Sequence, residues 1–294
     1  MGARLRQLVA SALHRYPLYA GCGRIANTTL LRRLAALAPG EVVPARLRDG
    51  ARLLVPTDDF VGRAVMYFGD LDPKVTWVCD RLLRPGDVMV DIGANLGLVT
   101  LLASARVGAT GHVHAFEPQP RLLEWLHASL QLNGRRNVTV HGVALGEREG
   151  RQTLEIPLHN RGAASLQRHA VGDQSIEVPV CTLSACLKTE NARSVRLVKL
   201  DVEGYEGQVL QGAEPLLQST PPDAVLFECK GTTAFWERPE VDLLHRHGYR
   251  FLAPRGRFGR PRFRPVLRSV QRLPAHDVLA VHARAFDDVV QALA

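Results

Sequence analysis

Residues 90–97 read Val-Asp-Ile-Gly-Ala-Asn-Leu-Gly. The apolar stretch Asp87–Ile92 follows the turn pair Pro85-Gly86 and stops at a loop where Gly93 and Gly97 flank Asn95. Leu96–Arg106 then takes helical periodicity. A short apolar strand, a glycine turn and a helix make the opening unit of a parallel α/β sheet. Glycines let the backbone turn tightly and approach a ligand. The helix that follows offers unpaired N–H groups and the positive end of its dipole.

The alternation continues outward. Gly111–Glu117 reads as strand and Arg121–Leu132 as helix, with Leu122, Leu123, Leu126 and Leu130 on one side. Asn137–Leu145 reads as strand. Residues 146–194 interrupt the rhythm with two β-type pieces and a short polar helix. Val195–Val202 is strand, Tyr205–Leu217 helix, Ala224–Cys229 strand and Val241–His247 helix. Tyr249–Leu252 and Asp277–His282 are the last strands, the second of them antiparallel at or near an edge. The expected fold is a doubly wound, mostly parallel seven-stranded Rossmann-like sheet at 81–294, behind a helical or irregular extension at 1–80.

Composition narrows the class. The chain has 294 residues, 46% of them hydrophobic, so it can bury a core. No apolar run approaches the ~20 residues of a membrane helix. Residues 1–40 read as a basic amphipathic helical cap. His14, Arg15 and Pro17 break any signal-peptide core, and Arg6 stands where a myristoylation signal takes Ser or Thr. Peripheral membrane contact is the rival to a solvated helix face, which we prefer. The five cysteines form no C-x-x-C and read as reduced thiols of a cytoplasmic protein. Nine arginines and no acid fall between Arg246 and Arg272, against a net charge of +8 for the whole chain. The rest of the chain is therefore nearly neutral. Prolines and glycines interrupt this segment, so it reads as a solvated loop. Nucleic acid is its alternative partner.

In a doubly wound sheet the ligand lies beyond the carboxyl ends of the strands, where the strand order reverses. The loop is a poor dinucleotide fingerprint, because G-x-G-x-x-G is absent. Asp91 sits two residues before Gly93, where an acid can hold a cationic amino group or the loop backbone. S-adenosylmethionine carries such an ammonium. Glu117, 20 residues after Gly97, ends the second strand, where an acid accepts hydrogen bonds from ribose hydroxyls. Ala144 and Leu145 end the third strand and could face an adenine.

KLDVEGYE at 199–206 ends the fourth strand, whose expected place beside the first brings Asp201 near Asp91. Asp201, Glu203 and Glu228 then share one crevice. They could supply a general base, with Asp201 first and Glu203 second. They could instead hold Mg²⁺, the less favoured reading, and no metal ligand is assigned. His141, His159 and His169 are secondary base candidates, and Ser165 a substrate contact or simply a turn serine.

Together these pieces resemble the FkbM-type family of S-adenosylmethionine-dependent methyltransferases. The matching motifs are DIGANLG (91–97), AFEP (115–118), VALG (143–146), VPVCTL (178–183), KLDVEGYE (199–206), GA (212–213) and LFE (226–228). They cover about half the chain, and NRGAASL (160–166) is similar to the family's turn within the insertion. The resemblance implies S-adenosylmethionine as cofactor, held by Asp91, Gly93, Ala94, Asn95, Gly97 and Glu117. It implies methyl transfer to a hydroxyl of a sugar, glycan, polyketide or other small molecule, with Asp201 and Glu203 near the methyl. A nicotinamide oxidoreductase lacks its fingerprint here. An amino-methylating nucleic-acid enzyme lacks its Asn/Asp-Pro-Pro-Tyr/Phe stretch, since the chain reads Asp201-Val-Glu-Gly-Tyr205. A non-catalytic relative is the third rival.

Overall fold

The computed structural model of the chain describes residues 2–14, 21–36, 40–167, 172–187, 194–230, 232–255, 261–273 and 276–294. The N-terminal part runs α1 (Gly2–Leu13), α2 (Cys22–Ala26), α3 (Thr29–Ala35), β1 (Val42–Arg46), β2 (Arg52–Pro56), α4 (Phe60–Phe68) and α5 (Pro73–Leu82). The chain continues with β3 (Val88–Ile92), α6 (Leu98–Val107), β4 (His112–Phe116), α7 (Pro120–Leu132), β5 (Val138–His141) and β6 (Ala144–Leu145). Next come β7 (Gly150–Ile156), β8 (Gln174–Cys181), α8 (Leu183–Leu187), β9 (Val195–Leu200), α9 (Glu206–Gly212) and α10 (Glu214–Ser219). It ends with β10 (Ala224–Glu228), α11 (Pro239–Arg246), β11 (Tyr249–Arg255), β12 (Arg262–Pro265), β13 (Asp277–His282) and α12 (Phe286–Ala292).

The main sheet has the order β12-β11-β13-β10-β9-β3-β4-β5. Strands β5, β4, β3, β9 and β10 are parallel, while β13 runs antiparallel between β10 and β11. Every residue of β3 and β9 is buried, because helices cover both faces. Alternate residues of β3 feed opposite layers. Val90 and Ile92 join Val198, Leu200 and Val209, whereas Met89 joins Val78, Val113 and Leu197. The order reverses between β3 and β9, which puts the switch point at the carboxyl end of VDIGANLG.

The doubly wound, mostly parallel sheet is as expected, with four differences in detail. First, an eighth strand, β12, comes from the arginine-rich segment and pairs with β11 at the edge. Second, the stretch 137–145 is not one strand. After Gly142 the chain leaves β5, and β6 pairs instead with β8 in a three-stranded sheet of order β6-β8-β7. Third, the helix expected over 205–217 breaks at Ala213. Gly212 packs so tightly on the Gly146 carbonyl that a Cβ would lie 2.0 Å from it, and Pro215 cannot extend the helix hydrogen bonds. Fourth, residues 1–80 are not only helical and irregular: β1 and β2 form an antiparallel hairpin. The thiol reading is also corrected, since Cys181 and Cys186 form a disulfide, while Cys22, Cys79 and Cys229 are free and buried. Their separation in sequence gives no pairing signal, whereas the turn from β8 into α8 brings them together.

The N-terminal part packs on the α7 side of the sheet. Val55, Val65 and Tyr67 share a buried cluster with Ala94, Leu101 and Leu126. Asp59 caps α4 by accepting from Val61 and Gly62 N–H at 2.9 and 3.0 Å. Among the described residues no helix is long and apolar enough to cross a membrane. The packing of α4 on β2 depends on Gly62, where a Cβ would lie 2.0 Å from the Pro56 carbonyl oxygen. Gly62→Ala is therefore expected to lower stability by about 2 kcal/mol. Gly207→Ala in α9, whose nearest atom would be 3.9 Å away, should be neutral or stabilising. Urea midpoints of the two variants check this.

Candidate active site

At the carboxyl end of β3 the chain turns through left-handed backbone at Gly93 (φ 74°), Asn95 (φ 53°) and Gly97 (φ 95°). Gly93 is required by its neighbour, since a Cβ there would lie 2.0 Å from the Asp201 carbonyl oxygen. Gly97 serves packing, because its Cβ would meet Leu126 Cδ1 at 2.3 Å. Gly97 does not line the pocket that opens above the loop. Gly93, Ala94, Asn95, Glu117, Ala144, Leu145 and Asp201 all do.

Asp91 is fully buried beneath the loop, not in the pocket wall. Its Oδ2 accepts from Thr100 Oγ1 at 2.6 Å, and its Oδ1 lies 3.4 Å from Lys199 Nζ. Lys199 is not among the site residues expected from the sequence. Its ammonium donates to the Gly93 carbonyl at 2.7 Å and lies 3.9 Å from Asp201. Burial works to lower its pKa, but the Asp91 and Asp201 carboxylates prevail and hold it above the usual lysine value. A lysine among the valines and leucines of a wholly buried strand, which also holds Arg196, is the available signal. Residues 199 and 201 share a strand face, so Lys199 and Asp201 meet. The Asp91–Lys199–Asp201 set, two carboxylates around one ammonium, carries one net negative charge and reaches from beneath the loop to the pocket.

Glu117 is almost wholly buried but borders the pocket. Its two oxygens accept from Asn95 N–H at 2.9 Å and Gln119 N–H at 3.0 Å. Burial pushes its pKa up to about 7 although both N–H groups oppose the shift. Phe116 and Val143 extend the apolar wall beside Ala144 and Leu145.

The segment 160–167 forms the roof. The Arg161 carbonyl accepts from Gln119 Nε2 at 3.0 Å, and Arg161 N–H donates to Asp59 at 2.9 Å. Ser165 Oγ donates to the Glu203 carbonyl at 2.9 Å, and Gln167 Nε2 to the Gly204 carbonyl at 2.8 Å. Gly162, Ala164 and Leu166 face the pocket. Val61, Val75 and Thr76, from α4 and α5, line it too and had no sequence signal, since only folding brings them there.

At the mouth, Asp201 is half-exposed. Oxygens of Asp201, Glu203 and Glu228 lie within 4.8 Å of one another. Lys230 Nζ sits 2.7 Å from both Glu203 and Glu228. Glu228 is pushed up to about 7, by burial and then by the Asp201 charge. Glu206 holds the loop by accepting from Val202 and Gly204 N–H at 3.2 and 3.3 Å. His141 stacks on Phe116 at 4.2 Å and His159 is exposed beside Asp173, neither of them lining the pocket. His169 lies outside the described residues. Among the described arginines of 246–272, Arg262 and Arg264 ride on β12, five positions from β3. Arg246 pairs with Asp242, and Arg268 stacks over Trp236.

The raised Glu117 pKa has a stability consequence. Between its ordinary value of 4.5 and about 7 the folded protein binds this proton more tightly than the unfolded chain does. Its contribution to stability is thus present at the low end of that window and is lost as pH rises through it. The urea midpoint of the wild-type protein should fall between about pH 5 and about pH 8. Glu117→Gln, which cannot titrate, should show a shallower profile whatever its starting midpoint.

Residues 91–251 match the family described as the methyltransferase FkbM domain. The chain is 31% identical over 164 residues to the 31-O-demethyl-FK506 methyltransferase FkbM of Streptomyces tacrolimicus, covering 45% of this chain and 61% of that protein. It is 27% identical over 145 residues to methyltransferase 1 of Beauveria bassiana, covering 43% and 58%. The chain thus spans about three-fifths of the length of these curated relatives. Among solved structures, an S-adenosylmethionine-dependent O-methyltransferase of Thermotoga maritima is similar with a TM-score of 0.44 and 16% identity, covering 83% of this chain and 78% of that one. The matched span includes the β3 turn, Glu117, the roof and the acids after β9, and by it the chain belongs to the FkbM methyltransferase family.

Proposed function

We propose that the chain is an S-adenosylmethionine-dependent methyltransferase that methylates a hydroxyl oxygen of a small-molecule or glycan acceptor. The observation that carries this is the pocket at the switch point, apolar along Phe116 and Val143–Leu145 and bordered by the buried carboxylate of Glu117. These residues fit the cofactor. Glu117 would accept from the ribose hydroxyls. The Ala144–Leu145 wall would take the adenine. The net negative charge of Asp91, Lys199 and Asp201 suits a cationic ligand. Asp91 acts in this reading through Lys199 and the loop, without touching the ligand. When bound, S-adenosylmethionine supplies a methyl group made electrophilic by its sulfonium.

The protein supplies alignment, exclusion of water and a proton acceptor. The roof at 160–167 covers the pocket. Asp201 is the base, because it is half-exposed at the mouth while Glu203 is engaged by Lys230. The FkbM protein of Streptomyces tacrolimicus is named for an O-methyl transfer, which supports an oxygen acceptor.

Calorimetric titration with S-adenosylmethionine, beside NADH, tests the cofactor. Saturable binding of S-adenosylmethionine alone is expected, weakened about tenfold or more in Glu117→Ala, which loses two charge-assisted hydrogen bonds. Ribose hydroxyls donating to Glu117 would favour its charged form and lower its pKa, so the heat near pH 7 should depend on the buffer and report proton release. No binding to folded protein would defeat the methyltransferase reading.

A further inference from the structure

Leu166 and Tyr205 line two cavities at once: the pocket described above and a second cleft behind it, of about 1020 Å³. The second cleft lies between β7, α9, the end of β10 and the start of α11. Glu228 and Lys230 are among the residues that line it. Glu228 reaches within 4.8 Å of Asp201, so this cleft borders the carboxylate at the mouth of the first pocket.

The chemistry of the cleft is distinctive. Gln152, Gln208, Gln211 and Thr153 face it, and Tyr205 Oη donates to Gln152 Oε1 at 3.0 Å. Each primary amide offers both donors and an acceptor, which matches neighbouring hydroxyls. The charged groups are already engaged: Glu155 accepts from Ser175 Oγ at 2.8 Å, Glu206 accepts from two backbone N–H groups, and the rest form ion pairs. Lys230 pairs with Glu228 at 2.7 Å, Arg238 with Glu240 at 2.9 Å and Arg148 with Glu147 at 3.1 Å. Five acids against three bases line the cleft among the described residues, which disfavours a polyanion. An apolar acceptor would leave the amides without partners.

We propose that this cleft is the acceptor site and that it takes an uncharged, polyhydroxylated acceptor of the glycoside class, one of whose hydroxyls passes the Leu166–Tyr205 partition to reach Asp201. The proposal rests on the methyltransferase reading, and the test separates the two.

The full chain is saturated with S-adenosylhomocysteine and probed by saturation-transfer NMR. The probes are a panel of neutral mono- and oligosaccharides, beside heparin and decanol. Neutral saccharides are expected to bind. Their binding should weaken about tenfold or more in the double variant Gln208→Leu/Gln211→Leu, while S-adenosylhomocysteine binds that variant as it binds wild type. Binding of S-adenosylhomocysteine with no saccharide bound would overturn the proposal alone. So would saccharide binding unchanged in the variant, or heparin or decanol displacing the saccharide. Absence of S-adenosylhomocysteine binding would overturn the methyltransferase reading and this proposal with it.

Discussion

A buried ammonium ties the two strands at the switch point together. Lys199 Nζ reaches across from β9 to the Gly93 carbonyl and to the Asp91 carboxylate of β3. None of these groups has ready access to water, so each needs the others. Removing one would leave an uncompensated charge or carbonyl in the sheet's interior. The loop that borders the pocket is shaped by this contact. So is the position of Asp201, whose backbone N–H bonds to the Ile92 carbonyl and whose carbonyl presses on Gly93.

Steric necessity does the rest of the positioning. Gly93 lets β9's loop come close, and Gly62 lets α4 sit on β2. At Gly162 an added Cβ would lie 2.6 Å from Asn95 Nδ2, which is how the roof reaches the floor of the pocket. The roof is anchored at Asp59, Gln119 and the Glu203–Gly204 turn, three places far apart in the chain. The N-terminal part is therefore coupled to the site through Asp59, which caps α4 and holds the Arg161 N–H at once.

Two cavities of opposite character meet at Leu166 and Tyr205. One is mostly apolar with the buried Glu117 carboxylate in its wall, the other amide-rich and lined by more acids than bases. The acids after β9 and β10 stand between them, with Lys230 holding Glu203 and Glu228 and leaving Asp201 half-exposed. The arginine-rich edge lies on another part of the sheet, with several of its side chains engaged by neighbouring acids or rings.

The alternation of strands and helices, the turn after β3, and the placing of Glu117 and Asp201 at strand ends are legible in the residue pattern alone. Each of these follows from local periodicity and local backbone demands, which nearby residues set. What lay outside that range was decided by the tertiary structure alone. It turned Asp91 inward to Lys199, made Gly97 a packing contact for Leu126, drew β6 out of the main sheet and joined Cys181 to Cys186. It also brought Val61 and Thr76 to the pocket and assembled the second cleft from four separate elements. Such features depend on which distant residues come within a few ångströms, and a linear pattern of apolar and polar residues does not carry that information.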